Sequence, residues 1–310
     1  MTAAGLTRPP RLRPGDRVAV IAPSGPLALE RLDGGLDILR GWGLDAVAGP
    51  HAAGRHATLH HLAADDARRA ADLQRAWCDP EIAAVFAARG GYGAQRMVDL
   101  LDWDAIRAAA PKPLVGFSDV TVLQEAFAVR AGVVSFYGPA VAGEVFLKDE
   151  ATREQLRRTL FAPEAERTLA PEATMPLVPG RARGVTLGGC LAMLASELGT
   201  PQARPGAAGG LLLLEDVGEQ PYRIDRALTQ LLRAGWLDGV AGIVLGSWAR
   251  CGPYPKVREV LADRLGGLGV PVVEEFGFGH GDRALTVPLG VAATLDADAG
   301  TLTLDVPALT

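Results

Sequence analysis

Short apolar runs alternate with helical stretches over the first 130 residues, and this alternation constrains the fold more than any other feature. The apolar runs are residues 16–23, 45–48, 82–87 and 114–115, and the helical stretches between them are 27–42, 65–78 and 95–101. Repeated strand and helix segments are the signature of a parallel sheet covered by helices. We therefore predict an N-terminal parallel-sheet α/β domain.

The second half of the chain has a different pattern. Residues 145–183 carry four prolines and predict an inter-domain connection with a short helix near residues 149–160. Beyond it we predict strands at 211–214, 242–246 and 270–273, a helix at 224–232 and a terminal hairpin at 291–304. The resulting division is an α/β domain at 1–160, a connection at 161–183 and a mostly-β domain with helices at 184–310.

The composition excludes several classes of protein. The formal net charge is −5 and no basic cluster stands out, which argues against a nucleic-acid partner. No run of apolar residues is long enough to span a membrane, and the stretch Met1–Leu6 lacks the apolar core of a signal peptide. The cysteines, Cys78, Cys190 and Cys251, are far apart and form no CxxC pair. We expect a cytoplasmic protein without metal or cofactor.

Gly116-Phe117-Ser118-Asp119 joins an apolar run to a helical stretch. A serine on such a turn is how an α/β enzyme exposes a nucleophile, and the N-terminus of the following helix offers N–H groups to a developing anion. The usual motif has a second glycine where Val120 stands. At this point the alternative, that Ser118 only caps the helix, stays open.

At three further positions, a glycine turn or a potentially catalytic side chain follows an apolar run. The turn at residues 89–93 includes Gly90 and Gly91, whose N–H groups are suited to an anion, although a simple glycine turn is the alternative. Glu215 follows four leucines, and His280 stands between glycines. The remaining histidines fall in one segment without a matching ligand pattern, and we expect them on a solvated face: His51, His56, His60 and His61.

Ser118, His280 and Glu215 supply the nucleophile, the base and the orienting carboxylate that nucleophilic catalysis requires. Their spacing alone does not show that they converge. Taken alone, a histidine such as His280 is more often a satisfied structural residue than a catalytic base.

Over almost its whole length, the chain resembles the serine LD-carboxypeptidase family, which includes the microcin C self-immunity peptidases. The resemblance rests on several motifs that are modest singly and specific together. They are residues 22–26, 89–93, 116–119, 138–139, 184–189, 214–219, 222–226, 279–280 and 288–290. Two positions depart from the family pattern, Cys190 in place of asparagine and Tyr137 in place of histidine. We expect both to alter substrate contacts and neither to touch the triad.

The resemblance implies a two-domain protein with its site in the cleft between the domains. It implies Ser118 as nucleophile, His280 as general base and Glu215 as its orienter, with no metal or cofactor. The N–H of Asp119, with that of Gly90 or Gly91, would form the oxyanion hole. Glu215 is preferred over Glu219 because it follows a buried strand.

The activity implied is release of the terminal D-alanine from muropeptide tetrapeptides during cell-wall recycling, by a homodimer that binds a small peptide substrate. Two alternatives stay open. One is cleavage of aminoacyl or peptidyl adenylate analogues, as in the immunity branch. The other is a non-catalytic small-molecule binding protein.

Overall fold

The computed structural model describes residues 6–310, and the first five residues, which include most of the Met1–Leu6 stretch, lie outside it. Within residues 6–310, two sheets and ten α-helices build the fold. The strands are β1 (Arg17–Ile21), β2 (Asp45–Ala48), β3 (Ile82–Ala87), β4 (Leu114–Gly116), β5 (Ser135–Tyr137), β6 (Thr168–Leu169), β7 (Met175–Val178), β8 (Arg181–Cys190), β9 (Gly210–Val217), β10 (Gly242–Ala249), β11 (Val272–Glu274), β12 (Val287–Leu289), β13 (Ala292–Asp296) and β14 (Thr301–Leu304). The helices are α1 (Leu29–Gly41), α2 (Asp66–Cys78), α3 (Ala94–Met97), α4 (Trp103–Ala108), α5 (Thr121–Ala126), α6 (Glu144–Lys148), α7 (Glu150–Phe161), α8 (Leu191–Ser196), α9 (Pro221–Arg233) and α10 (Tyr254–Leu265).

The first sheet has the order β12-β5-β4-β3-β1-β2, and all its strands except β12 run parallel. Both faces of this sheet are buried. On β3, Phe86 packs into the cluster that contains Leu36 of α1, whereas Val85 packs into the cluster that contains Trp77 of α2. Burial on both faces explains why these strands read as continuous apolar runs. The predicted N-terminal α/β arrangement is confirmed.

The second sheet has the order β6-β14-β13-β8-β9-β10-β11-β7. Its four central strands, β8 to β11, run parallel, and each pairing outside them, β8 with β13, β13 with β14, β14 with β6 and β11 with β7, is antiparallel. Along β9, Leu211 and Leu213 face the same core cluster as the first sheet, while Leu212 and Leu214 pack on the side of α9 and α10. The predicted hairpin at 291–304 is the β13–β14 pair.

Two features differ from the predicted division of the chain. The segment 161–183 contributes β6 and β7, which lie at the two edges of the second sheet. Prolines are confined to such edges because they donate no ladder hydrogen bond, and Pro176 within β7 masked the strand pattern. In addition, β12 leaves the C-terminal half and pairs with β5 of the first sheet. The boundaries at 160 and 184 therefore stay a prediction.

The carboxyl ends of the parallel strands bear the segments singled out in the sequence. The turn at 89–93 follows β3, Ser118 follows β4, and Gly138 follows β5. In open α/β sheets ligands bind at this edge. Within residues 6–310, no helix combines the length and apolarity needed to cross a bilayer.

Candidate active site

Ser118 lies on a strained turn between β4 and a short 3-10 segment, Ser118–Val120, that leads into α5. Its φ is 64°, in the left-handed region that residues with a Cβ rarely occupy. Such strain persists only where the surrounding structure enforces it, and it is characteristic of functional positions. Among residues 6–310 the Ser118 side chain caps no helix, so the capping alternative loses its support.

Glu215 and His280 are in direct contact. The carboxylate of Glu215 is fully buried in β9, and its Oε2 lies 2.7 Å from Nδ1 of His280. The backbone N–H of His280 donates to the same oxygen at 3.2 Å. An ionised carboxylate only accepts, so Nδ1 carries the proton and Nε2 is left as the basic nitrogen. This is the arrangement in which a carboxylate fixes the tautomer of a general base.

Gly279 makes this contact possible. Its φ is 97°, and a Cβ added there would lie 2.3 Å from Oε2 of Glu215. A side chain would therefore push the 276–281 loop away from β9. The glycines that bracket His280 in the sequence indicated a close approach, and the partner of that approach is Glu215.

Tyr137, at the end of β5, connects the two halves of the site. Its fully buried hydroxyl donates to Oε1 of Glu215 at 2.6 Å and accepts from the backbone N–H of Ser118 at 3.1 Å. Burial, and then the adjacent Glu215, raise the pKa of Tyr137 well above its usual value, so the phenol stays a donor. The expectation that position 137 does not touch the proposed triad residues is wrong.

Cys190, the second departure, lies at the end of β8, and its Sγ is 3.7 Å from Oδ1 of Asp216. Burial raises the pKa of this thiol well above its usual value. Asp216 itself accepts from the N–H groups of Ala192 and Val217. Within residues 6–310, no side-chain hydrogen bond joins Cys190 to Ser118, Glu215 or His280. The β8–β9 register nevertheless places Cys190 directly beside Glu215, so this position, too, adjoins a proposed triad residue.

Among residues 6–310, no hydrogen bond joins the side chains of Ser118 and His280. The ring of Phe117, the residue before Ser118, packs against the His280 ring with centroids 4.6 Å apart. His280 is linked to the backbone of Ser118 through Glu215 and Tyr137. Catalytic hydrogen bonds of this kind are often long before substrate binds.

Three backbone N–H groups near Ser118 are available for an anion. Within residues 6–310, those of Gly90, Gly91 and Asp119 donate no hydrogen bond. Gly90 lies directly against the serine, because a Cβ added there would be 3.1 Å from Ser118 Oγ. The buried Asp119 carboxylate accepts from the N–H of Ala94 at 2.8 Å, which ties the 89–93 turn to the serine turn. Burial raises the pKa of Asp119.

Glu219 does not approach His280. It lies beyond the end of β9, and its nearest charged partner is Arg223 on α9, at 3.6 Å. Of Glu215 and Glu219, only Glu215 therefore contacts His280, as a carboxylate that orients the histidine must.

A cavity of about 620 Å³ opens beside His280, and its wall includes Phe117, Lys148 and Arg250. Arg250 follows β10 with a φ of 58°, a second strained position with a Cβ. Sequence reasoning missed Arg250, and it singled out Tyr137 without predicting the contacts of its hydroxyl with Glu215 and Ser118. For Tyr137 the only signal was its place before Gly138-Pro139 at a strand end.

Among the described residues, no group of three or more His, Cys, Asp and Glu side chains is arranged to hold a metal ion. The clustered histidines have separate surroundings. His51 Nδ1 lies 2.9 Å from Asp72, and His56 Nδ1 accepts from the N–H of Leu59. His60 and His61 are exposed at a second cavity.

The fold and the site together define an α/β enzyme scaffold with a serine on a strained strand-to-helix turn. The sequence profile of the LD-carboxypeptidase N-terminal domain matches residues 18–138, and that of the LD-carboxypeptidase C-terminal domain matches residues 183–295. The chain belongs to the LD-carboxypeptidase family of peptidases.

Individual relatives have names of two kinds, carboxypeptidase and microcin self-immunity protein. A Streptomyces coelicolor protein with a provisional carboxypeptidase name is 68% identical over 304 residues, covering 98% of each chain. The murein tetrapeptide carboxypeptidase of Pseudomonas aeruginosa is 35% identical over 292 residues, covering 91% of this chain and 94% of that one. The microcin C7 self-immunity protein of Escherichia coli is 26% identical over 318 residues, covering 92% and 91%.

A solved structure of a microcin C7 self-immunity protein in complex with aspartyl sulfamoyl adenosine superposes with a TM-score of 0.85. It is 23% identical and covers 98% of this chain and all of its own. At this identity the likeness shows the shared two-domain fold alone.

Proposed function

We propose that this protein is a serine LD-carboxypeptidase that releases the terminal D-alanine from muropeptide tetrapeptides. The substrate would be cut between diaminopimelate or lysine and D-alanine, in cytoplasmic cell-wall recycling, by a homodimer. The proposal is supported most by one observation, the contact of the buried Glu215 carboxylate with His280 on one side and, through Tyr137, with Ser118 on the other.

In the first half of the proposed reaction, Ser118 Oγ attacks the carbonyl carbon of the terminal peptide bond. Its proton passes to Nε2 of His280, and the Nδ1–H bond to Glu215 stabilises the imidazolium. The oxyanion accepts from the N–H of Asp119 and from that of Gly90 or Gly91. The C–N bond then breaks, His280 protonates the amine of the leaving D-alanine, and the acyl group remains as an ester on Ser118.

In the second half, a water molecule attacks the ester carbonyl and His280 takes one of its protons. The tetrahedral intermediate collapses, the acyl–oxygen bond breaks, and His280 returns the proton to Ser118 Oγ. The tripeptide acid leaves and the free serine is restored. The Oγ–Nε2 hydrogen bond that this cycle needs would tighten once substrate fills the site.

The test is incubation of the protein with defined tetrapeptides in excess chelator, with free D-alanine measured. We expect release by the wild type and none by Ser118→Ala. The variant should keep its fold, because a single oxygen is removed at a position where it makes no cap. Near wild-type activity of Ser118→Ala would exclude Ser118 as the nucleophile.

The second candidate activity follows from the similarity to the microcin C7 self-immunity protein. Cleavage of aspartyl sulfamoyl adenosine, with no release of D-alanine from any tetrapeptide, would assign the protein to that branch. Failure on both substrates would favour a non-catalytic binding protein.

A further inference from the structure

A second cavity of about 620 Å³ opens on the N-terminal half, beside Gly91. Its wall is formed by the loop after β1, the first turn of α1, the loop before α2 and the 89–93 turn. The ionisable side chains of the wall other than Tyr92 are all basic: Arg31, Arg55, His60, His61 and Arg89. The wall contains no acidic residue, which is unusual in a chain whose net charge is −5.

Among residues 6–310, neither Arg31 nor Arg55 lies within 4 Å of a carboxylate, and both are exposed at the cavity. One acidic side chain outside the wall interacts weakly with Arg31: the pKa of Glu144 is lowered first by Lys148 and to a smaller extent by Arg31. The Arg89 guanidinium donates to the carbonyl of Pro26, which holds it against the wall without cancelling its charge. A cavity lined with one sign of charge concentrates ligands of the opposite sign.

Helix α1 adds a second feature that favours an anion. It has 13 residues, and it begins after Ala28, whose side chain provides no cap. Leu27 and Ala28 both line the cavity. The N-terminus of α1, with its uncapped N–H groups and positive dipole end, therefore opens on the same space as the arginines.

The cavity is adjacent to the proposed reaction centre. Gly91 belongs to its wall, and the preceding Gly90 lies against Ser118 Oγ. His280 lines the other cavity. Because His280 delivers the proton to the leaving amine, the leaving group departs on the His280 side, and the cavity beside Gly91 is left for the acyl part.

We infer that this cavity is a subsite for an anionic group, a carboxylate or a phosphate, on the acyl part of the substrate. The assignment of the acyl part rests on the proposed function, whereas the affinity for an anion does not. In a stem peptide the carboxylate would be the free α-carboxylate of the second residue, D-glutamate. In a nucleotide-linked stem peptide it would be the diphosphate.

The first experiment compares tetrapeptides that have D-glutamate or its α-amide at the second position. For the wild type, the free carboxylate should give a kcat/KM at least about tenfold higher, the scale of one charge-assisted hydrogen bond. Arg31→Gln and Arg55→Gln should reduce this preference. Arg233→Gln removes an exposed charge at the end of α9 that has no ion pair among residues 6–310, and it should keep the preference.

A third substrate, the uridine-diphosphate-linked tetrapeptide, distinguishes whether the group bound in the subsite is the carboxylate or the diphosphate. If the diphosphate is the natural occupant, this substrate will lose the most in Arg31→Gln and Arg55→Gln, and amidation of D-glutamate will have little effect. Equal kcat/KM values for all three substrates in the wild type would overturn the subsite.

The second experiment measures sulfate binding by calorimetry and needs no hydrolysis. We expect sulfate to bind the wild type and Arg233→Gln, and to bind Arg31→Gln and Arg55→Gln at least about tenfold more weakly. Absence of sulfate binding, or equal binding by all four proteins, would overturn the inference. Sulfate binding without D-alanine release would retain the anion site and reject the proposed carboxypeptidase function.

Discussion

At the residue scale, the least expected feature of the site is the phenol of Tyr137. It is the only side chain among residues 6–310 that hydrogen-bonds both the Ser118 backbone and the Glu215 carboxylate. By accepting from the N–H of Ser118 it supports the strained φ of the serine. By donating to Oε1 it holds Glu215 in place for His280.

Tyr137→Phe should therefore lower kcat by roughly tenfold or more with a smaller change in KM, since a buried carboxylate oxygen loses its donor at a cost of about 1–3 kcal/mol. Tyr254→Phe is a matched control, because Tyr254 also donates to a buried glutamate, Glu274, at 3.0 Å. Steady-state kinetics and thermal unfolding of both variants make the comparison. If Tyr254→Phe lowers kcat as much, Tyr137 has no specific positioning role.

The two acids near the end of β9 give a second prediction at this scale. Glu215→Gln should lower kcat by roughly 10²–10⁴, the range seen when a triad carboxylate is neutralised. Glu219→Gln should change mainly KM or stability, because its charged contact is Arg223. Steady-state kinetics of the two variants test this assignment, which a larger kcat loss at Glu219 would reverse.

At the scale of elements, Asp216 connects β9 to the start of α8. Its Oδ2 accepts from the N–H of Ala192 in the first turn of α8, at 2.8 Å, and its Oδ1 accepts from Val217. A carboxylate from the neighbouring strand thus supplies the cap that Cys190, the residue before α8, does not provide. Burial nevertheless raises the pKa of Asp216 to about 6.

This raised pKa predicts a pH dependence of stability. Between about pH 4 and pH 6 the folded protein retains a proton on Asp216 that the unfolded chain has released. The contribution of Asp216 to the free energy of unfolding should therefore fall as pH rises through this window, by on the order of 2 kcal/mol, and stay constant above it.

The measurement is urea unfolding of the wild type and Asp216→Asn between pH 4 and pH 7. Subtracting the variant's free energy of unfolding from that of the wild type at each pH removes the contributions of the other carboxylates. A difference that grows with pH across the window would contradict the prediction.

The local sequence pattern was sufficient to predict much of the fold. The alternation of apolar and helical segments predicted β1 to β4 with α1 and α2, because β1, β3 and β4 are buried on both faces and β2 is a short segment between two clear helices. It also predicted the turn at Ser118, since a glycine between a strand and a helix is a local signal. Pattern failed for β6, β7 and β12, whose partners are distant in sequence. The contacts of Tyr137 with Ser118 and Glu215 were missed for the same reason, because they depend on β4, β5 and β9 meeting.

At the scale of the whole molecule, the two sheets are held together beside the site. Helix α5, which follows Ser118, contributes Glu125, and the loop before β9 contributes Arg204. These side chains form a nearly buried ion pair at 2.6 Å, and Oε1 of Glu125 also lies 3.4 Å from the N–H of Gly188 on β8. β12, from the C-terminal half, also pairs with β5 of the first sheet. Because this pairing and the ion pair both link the two halves, unfolding of one half without the other is unfavourable. We therefore expect a single cooperative unfolding transition, and two separate transitions in calorimetry would contradict it.

The ion pair gives the last prediction. Arg204→Met should destabilise the protein by about 3–5 kcal/mol, because it leaves the Glu125 charge buried without its partner. Adding Glu125→Gln should recover part of this loss, since removing both charges costs less than stranding one. The coupling energy from urea unfolding of both single variants and the double variant should exceed about 1 kcal/mol. An exposed pair on one helix, Glu144 with Lys148, is the control, and its coupling should stay below that value. Strict additivity at Glu125 and Arg204 would show that the pair does not join the two halves energetically.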